Sequence, residues 1–189
     1  ARNFKPILSR LKEVNPDIVY MSSHLKDGAL FMKQARQIRI LPKLFIGGTF
    51  GFTLPEFAQY AGRASEKLIT PIPWHQAIPL PSAQNYLARF KDRYNKNPDY
   101  HGAEAYAAAY VIKDALQRTR SFAPHHIRQS LKETRLMTLL GPIRFTSYGS
   151  KINQNKLSAY VVQWQLRQLK LIWPGHFANA HYVYPVDWL

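Results

Sequence analysis

Residues 15–48 read NPDIVYMSSHLKDGALFMKQARQIRILPKLFIGG. Asn15-Pro16 closes the segment before it, because proline lacks an N–H and pushes its predecessor out of the helical region. Asp17-Ile18-Val19-Tyr20-Met21 is apolar, partly β-branched and too short for a helix, so it predicts a buried strand. Ser22–Lys26 reads as a loop and Asp27 as a helix cap, with Ala29, Leu30, Met32, Ala35 and Ile38 following at helical spacing. Lys43-Leu44-Phe45-Ile46 repeats the strand signal before Gly47-Gly48. Strand, helix, strand in this order is a βαβ unit, which implies a parallel sheet with a right-handed crossover.

The pattern continues outward. Upstream, Phe4, Ile7, Leu8, Leu11 and Val14 have helical spacing, with Pro6 tolerated in the first turn. Downstream, a short helix is expected around Pro55–Tyr60 and a strand at Lys67–Ile72. Strands 17–21, 43–47 and 67–72 are therefore expected to be parallel neighbours, with helices 3–14 and 27–39 packed on them. Pro71, Pro73, Pro79 and Pro81 mark a connection into a helix at about Ala83–Tyr94. Gly102–Gln117 is a long helix, apolar on most sides and expected to be well buried. Pro124 opens another helix, with Ile127 and Leu131 inward. After Gly141 the character changes: Pro142–Thr146, Ala159–Gln165 and Leu169–Trp173 alternate as strands.

Composition narrows the function classes. Hydrophobic residues at 46% and charged residues at 20% over 189 residues describe a globular chain with enough apolar side chains for a core. The longest apolar runs fall far short of a bilayer span. No signal peptide is visible and the first residue is Ala1, so the expectation is a mature fragment or a truncated chain. With no cysteine, disulfides, thiolate metal sites and cysteine nucleophiles are excluded. The 26 basic against 11 acidic residues give +15, a balance that favours anionic partners. The basic residues are dispersed, densest at Lys33, Arg36, Arg39 and Lys43 and again at Arg118, Arg120, Arg128 and Arg135. They read as solvated helix faces, without any nucleic-acid motif beside them.

The candidate site follows from topology. Open α/β sheets bind ligands at the carboxyl ends of their strands, which here means Ser22–Asp27, Gly47–Thr53 and Pro73–Ile78. These loops carry Ser22, Ser23, His24, Thr49, Phe50, Phe52 and Trp74, a mixture of hydroxyls and aromatics suited to a small polar molecule with an apolar part. Each of the three aromatics can equally be a core residue. Catalytic signatures are missing: there is no nucleophile elbow, and Gly48-Thr49-Phe50-Gly51 matches neither a Walker A loop nor a dinucleotide fingerprint. No histidine pair has helical metal-ligand spacing, and His125–His126 and His176/His181 are not placed to chelate. The sequence thus implies no metal, no cofactor and no enzyme. Glu104 stands out, opening an apolar helix beside Tyr100 and His101, a place where a carboxylate is also favoured by the helix end.

Several stretches together carry a family resemblance. Phe4-Lys5-Pro6-Ile7-Leu8 through Asn15-Pro16-Asp17-Ile18-Val19-Tyr20, then Lys43-Leu44-Phe45-Ile46-Gly47-Gly48, resemble an early helix–strand passage and its following strand in the leucine/isoleucine/valine-binding proteins of ABC importers. Pro98-Asp99-Tyr100-His101-Gly102-Ala103-Glu104-Ala105-Tyr106-Ala107-Ala108 resembles that family's lobe-crossing segment and long helix. Gly141-Pro142-Ile143-Arg144-Phe145 and Asn155-Lys156 through Val161-Val162-Gln163-Trp164 resemble two later strands.

The resemblance implies a type I periplasmic-binding-protein fold: two α/β lobes, a parallel sheet with flanking helices, and a C-terminal β-rich segment, here incomplete. It places residues 1–98 in lobe 2 without its opening strands, 99–147 in a returning part of lobe 1, and 148–189 in a hinge crossover and the last strands of lobe 2. It implies a periplasmic solute-binding component without catalysis, whose partners are a small-molecule ligand (an amino acid or related solute) and a membrane permease, with no nucleic acid. The same fold also serves as a ligand-sensing regulatory domain, and the charge leaves an anionic-surface or nucleic-acid-binding protein as a further alternative. The implied ligand residues are Ser23, His24, Thr49, Phe50, Trp74, Tyr100 and Glu104, with His24, Thr49, Phe50 and Trp74 on one concave edge facing Tyr100 and Glu104. Thr49 stands where the family carries an acid for the ligand's ammonium, and His24 where it carries an aromatic hydroxyl; Glu104 is available as a substitute anion. The turn Leu166-Arg167-Gln168 is a poor tight-turn sequence where relatives often have Asn-Gly.

Overall fold

The computed structural model describes residues 3–188, with the side chain of Phe50 excepted. The chain divides into two compact units, residues 1–72 with 160–189, and residues 73–159.

In the first unit, helix α1 (Lys5–Val14) ends at Asn15, whose left-handed φ of 46° lets its N–H reach the Leu11 carbonyl. Pro16 then gives way to β1 (Ile18–Met21), α2 (Leu25–Gln37) and β2 (Leu44–Gly47). A 3₁₀ turn (Phe50–Phe52), α3 (Pro55–Ala61) and a second 3₁₀ turn (Gly62–Ser65) lead into β3 (Ile69–Ile72). β1 pairs with β2 in parallel register, Ile18 opposite Leu44 through Met21 opposite Gly47, and β2 pairs in parallel with β3. The expected parallel trio is borne out. Asp27 lies within the first turn of α2, and the cap position is His24, which makes no side-chain cap bond.

The sheet is completed from the far end of the sequence. β7 (Tyr160–Gln165) lies antiparallel to β3, and β8 (Gln168–Trp173) antiparallel to β7, giving the order β1-β2-β3-β7-β8. Val19, Met21 and Phe45 on one sheet face pack with Leu8, Ala29, Met32 and Phe57 of the helices in one apolar cluster, which also takes in Trp164 and Trp188. The irregular tail is tied down by polar contacts. The fully buried Gln163 amide donates to the Lys67 and Val183 carbonyls at 2.9 and 3.0 Å, and its oxygen accepts from Val183 N–H and Gln165 Nε2 at 2.8 and 2.9 Å. Every hydrogen-bonding valence of this amide is filled, which is what makes its burial tolerable. Two basic residues of this unit bond carbonyls: Lys12 reaches Ile38 O, and Arg36 reaches Arg63 O and Trp188 O.

In the second unit, α4 (Pro81–Tyr94), α5 (Tyr100–Arg118) and α6 (Pro124–Lys132) precede an antiparallel sheet of β4 (Arg135–Thr138), β5 (Gly141–Tyr148) and β6 (Lys151–Asn155). Tyr86 of α4 meets Tyr106 of α5 and Trp74, with ring centroids 4.8 and 5.9 Å apart. Arg118 ties α5 to α6, bonding Asp114 at 2.6 Å and the Ser130 carbonyl at 2.9 Å. The sequence reading divides the chain near residues 98 and 147, and the compact units divide at 72/73 and 159/160. The expected deep burial of α5 holds on one face alone. Ala103, Ala107, Val111 and Ala115 are buried, but Ala105, Ala108, Ala109, Ile112 and Leu116 lie exposed at the same helical spacing.

The β7–β8 turn is a two-residue turn of the I′ kind, with Leu166 and Arg167 at φ 52° and 60°. Neither residue favours that region. Their N–H groups are held by the two oxygens of Glu66, at 2.9 and 2.7 Å. The double substitution Leu166→Asn with Arg167→Gly is expected to raise stability by about 1 kcal/mol, roughly 2–4 °C in thermal midpoint. Glu66→Ala is expected to lower it by about 1 kcal/mol. Thermal unfolding followed by circular dichroism measures both.

A second expectation concerns Tyr86, which is 5% exposed and whose hydroxyl has no hydrogen-bond partner among the described residues. Burial first, then the charge of Asp99, pushes its pKa up to about 12. A phenol that holds its proton more tightly when folded contributes stability that is fully present below pH ~10 and is lost as pH rises towards 12. Tyr86→Phe should therefore leave neutral-pH stability unchanged or higher and remove this part of the alkaline loss, as read from urea unfolding at pH 7 and pH 11.

Candidate functional site

The carboxyl ends of β1 and β2 lie side by side because their register is in phase, so the loops that leave them are adjacent. The backbone N–H of Gly48 donates to the Met21 carbonyl at 2.7 Å and carries the parallel pairing one residue past β2. Thr49 then bridges the two loops. Its hydroxyl donates to the carbonyl of Ser23 and accepts from the Ser23 N–H at 3.3 Å. One side chain thus satisfies both backbone groups of a residue that lies in no ladder. Ser23 directs its own hydroxyl to the His24 carbonyl at 3.2 Å, so it has the geometry of a turn residue and not of an activated nucleophile.

The underside of this edge is apolar. Phe52 is 1% exposed, and its ring lies where Cβ atoms on Gly28 and Gly47 would come within 2.7 and 2.5 Å of it. Both positions therefore need glycine for close approach, not for backbone freedom. The Trp164 indole N–H donates to the Phe52 carbonyl at 2.8 Å, and the Phe57 ring packs on Phe52 at 5.2 Å. Above the edge, Tyr20 sits on the sheet face opposite Val19 and Met21, and its hydroxyl occupies the space a Cβ on Gly48 would take. Tyr20 is 66% exposed, so this phenol is presented to solvent beside the two loops.

In the first unit, then, Ser23, His24 and Thr49 are brought together, with His24 exposed at the start of α2. Phe50 lies in the same loop, but its side chain is outside what the structure describes. Phe52 is a core residue. In the second unit, Trp74 is 2% exposed against Tyr86, and its indole N–H has no partner among the described residues. Tyr100 is buried and stacks on His101 with centroids 3.9 Å apart; burial, then the charges of Glu104 and Asp99, raise its pKa. Glu104 lies half-buried one turn into α5, and Asp99 caps that helix by accepting from Gly102 N–H at 3.0 Å. Tyr20 and Asp99 were not singled out from the sequence. Strand alternation is the signal that finds Tyr20, and the Asp-x-x-Gly step before a helix is the signal for Asp99. Among the described residues no three His, Asp or Glu gather as a metal would require, and no helix is long and apolar enough to cross a membrane.

The family described as periplasmic binding protein matches residues 1–168. The chain belongs to that family. Among curated members it is 25% identical over 176 residues to the Leu/Ile/Val-binding protein homolog 7 of Brucella suis, covering 87% of this chain and 43% of that protein. The leucine-binding protein LivK of Thermotoga maritima superposes with a TM-score of 0.82 at 26% identity, over 91% of this chain and 48% of that one. The branched-chain amino acid substrate-binding protein LivJ of Streptococcus pneumoniae, solved with isoleucine, superposes at 0.77 and 19% identity, over 91% and 49%, and shares the fold. The chain spans a little under half the length of these periplasmic-binding-protein relatives.

The Thr49 bridge makes a testable statement. Thr49→Val keeps the shape but strands the N–H and C=O of Ser23, at a cost of about 1–3 kcal/mol, whereas Thr49→Ser keeps the bridge and most of the stability. Urea unfolding of the two variants distinguishes them.

Proposed function

We propose that this chain is part of the solute-binding component of an ABC importer, for branched-chain or related amino acids or similar small polar solutes, and that it binds without catalysis and hands its solute to a membrane permease. The reading is carried by the edge formed by Ser23, His24 and Thr49, where two parallel strands end beside an exposed phenol and over a rigid apolar floor, in a chain of this family. Hydroxyls, backbone groups and an aromatic suit a zwitterion with an apolar side chain, and among the described residues of this edge no nucleophile is paired with a base. Thr49 cannot balance an ammonium charge, so Glu104 is the proposed anion for it, with Tyr100 beside it. Phe50 and Trp74 are the proposed apolar contributors. Periplasmic residence follows from the same reading.

Affinity in such a site comes from surrounding the solute with polar groups set for each charged end. Losing one buried charge-assisted contact costs about 1.5–3 kcal/mol, roughly ten- to hundred-fold in affinity. Calorimetric titration of leucine, isoleucine, valine and a few aromatic acids into the 189-residue chain should therefore detect little or no binding. The chain extended by the residues preceding Ala1 in its gene should bind at least one of them saturably. A micromolar dissociation constant for the 189 residues alone would make them a complete binder. No binding of any of these solutes by the extended chain would remove the amino-acid reading.

A further inference from the structure

Helix α4 carries two stripes side by side. Tyr86, Phe90 and Tyr94 repeat at every fourth position, and Arg89 and Arg93 each stand one residue before a ring, so an aromatic row and a cationic row run along neighbouring lines of the helix. Helix α5 faces them with Gly102 and Tyr106, again four apart. These residues enclose a groove of about 340 Å³, at the lower end of the roughly 300–1,000 Å³ that holds small molecules. It lies wholly within the second unit and shares no residue with the proposed amino-acid site.

The walls are rings in mutual contact. Phe90 lies 5.7 Å from Tyr86 and 4.6 Å from Tyr94, and Tyr86 lies 4.8 Å from Tyr106, centroid to centroid. Gly102 keeps the floor open, since a Cβ there would stand 2.9 Å from the Tyr86 hydroxyl oxygen. That hydroxyl has no partner among the described residues, so an unsatisfied polar group borders the groove. At the rim, neither Arg89 nor Arg93 is ion-paired among the described residues. Arg89 makes one long bond to Tyr106 Oη, 3.5 Å, and the Arg93 guanidinium sits 5.7 Å from the Tyr94 ring centroid. Most of their N–H donors are therefore unspent. Two like charges one turn apart on a helix also repel each other, a cost that an anion between them removes.

We infer that this groove is a binding site for a phosphate monoester carried on a flat ring, an aryl or nucleoside monophosphate. A monoester carries about −1.5 to −2 charge at pH 7, which calls for two guanidiniums and not one. Guanidinium forks bond phosphate oxygens in pairs, and Arg89 and Arg93 bring two such forks to one rim. The rings of Tyr86, Phe90, Tyr94 and Tyr106 offer a stacking surface that accepts any flat ring. Asp99 sets the direction of entry. Its carboxylate accepts from Gly102 N–H and lies 3.7 Å from the Cβ position of that glycine, so it repels an anion at the floor. The ring therefore enters first, towards Gly102 and Tyr86, and the phosphate stays at the arginine rim.

Amide NMR shifts of the 189-residue chain, followed through titrations at low ionic strength, test this. Phenyl phosphate and adenosine monophosphate are the probes; inorganic phosphate, adenosine and benzoate are the controls. The expected result is saturable binding of at least one monoester, at least about ten-fold tighter than any control, with the shifts gathered at residues 86–94 and 102–106. Arg89→Gln with Arg93→Gln should weaken the monoester by at least about ten-fold and leave adenosine unchanged, a split that a general loss of packing would not produce. Both side chains are exposed, and an unchanged thermal midpoint shows that the double variant is folded. Should it not fold, the ratio of monoester to controls in the unsubstituted chain decides alone. Free phosphate bound as tightly as the monoester would mean a bare anion site, adenosine bound as tightly an apolar patch, and benzoate bound as tightly a carboxylate site; each overturns the inference. So does the absence of monoester binding, or shifts centred outside these residues.

Discussion

The ring of Phe52 sets how closely α2, β2 and the loop after β2 approach one another. It fills the volume that side chains at Gly28 and Gly47 would need, and the Trp164 indole, arriving from a strand more than a hundred residues later, holds its carbonyl. Because the floor is fixed in this way, the loops above it can be held by a single hydroxyl. Thr49 needs the two loops at hydrogen-bond distance before it can serve both backbone groups of Ser23, and Phe52 supplies that distance. The candidate edge is thus preorganised from beneath, by packing whose cost to disturb is a matter of core volume and not of surface chemistry.

Both units carry apolar surface beyond what they bury. In the first unit it is an apolar groove between α1 and β1; in the second it is the stripe of Ala105, Ala108, Ala109, Ile112 and Leu116 on α5. A helix with two apolar faces and an edge strand without charges are features of interior elements. They agree with a chain about half as long as its relatives. They also give a structural reason for expecting weak solute binding from these residues alone: side chains that bind by enclosure need every wall.

The sequence made the parallel half of the fold legible because three signals coincided there: short β-branched runs, helical spacing between them, and proline or glycine at the joins. Elsewhere the signals were weaker. Lys151-Ile-Asn-Gln-Asn155 is a strand exposed on both faces, so no alternation marks it, and Arg135-Leu-Met-Thr138 is too short to stand apart from the helix before it. Leu166 and Arg167 are unsuited to their turn, and the carboxylate that compensates lies at Glu66, distant in sequence. At the candidate edge the sequence pointed to the right loops, since strand ends follow from topology. It could not separate wall from floor among the aromatics. Phe52 and Trp74 are buried and Tyr20 is exposed, and that sorting depends on neighbours which local pattern does not record.

The sheet's connectivity matters during synthesis. β3 receives its antiparallel neighbour β7 only after the whole of residues 73–159 has been made. Until then β3 has one unpaired flank, the Phe52 carbonyl lacks its indole donor, and Gln163 is not yet there to pin the tail. The nascent first unit is therefore a parallel patch open at the β3 side while the second unit emerges from the ribosome, a form prone to pairing with the wrong chain. A discontinuous unit of this kind closes late, by long-range contacts that are slow to form. Its exposure to misassembly is governed by how quickly the β7–β8 segment follows the middle of the chain.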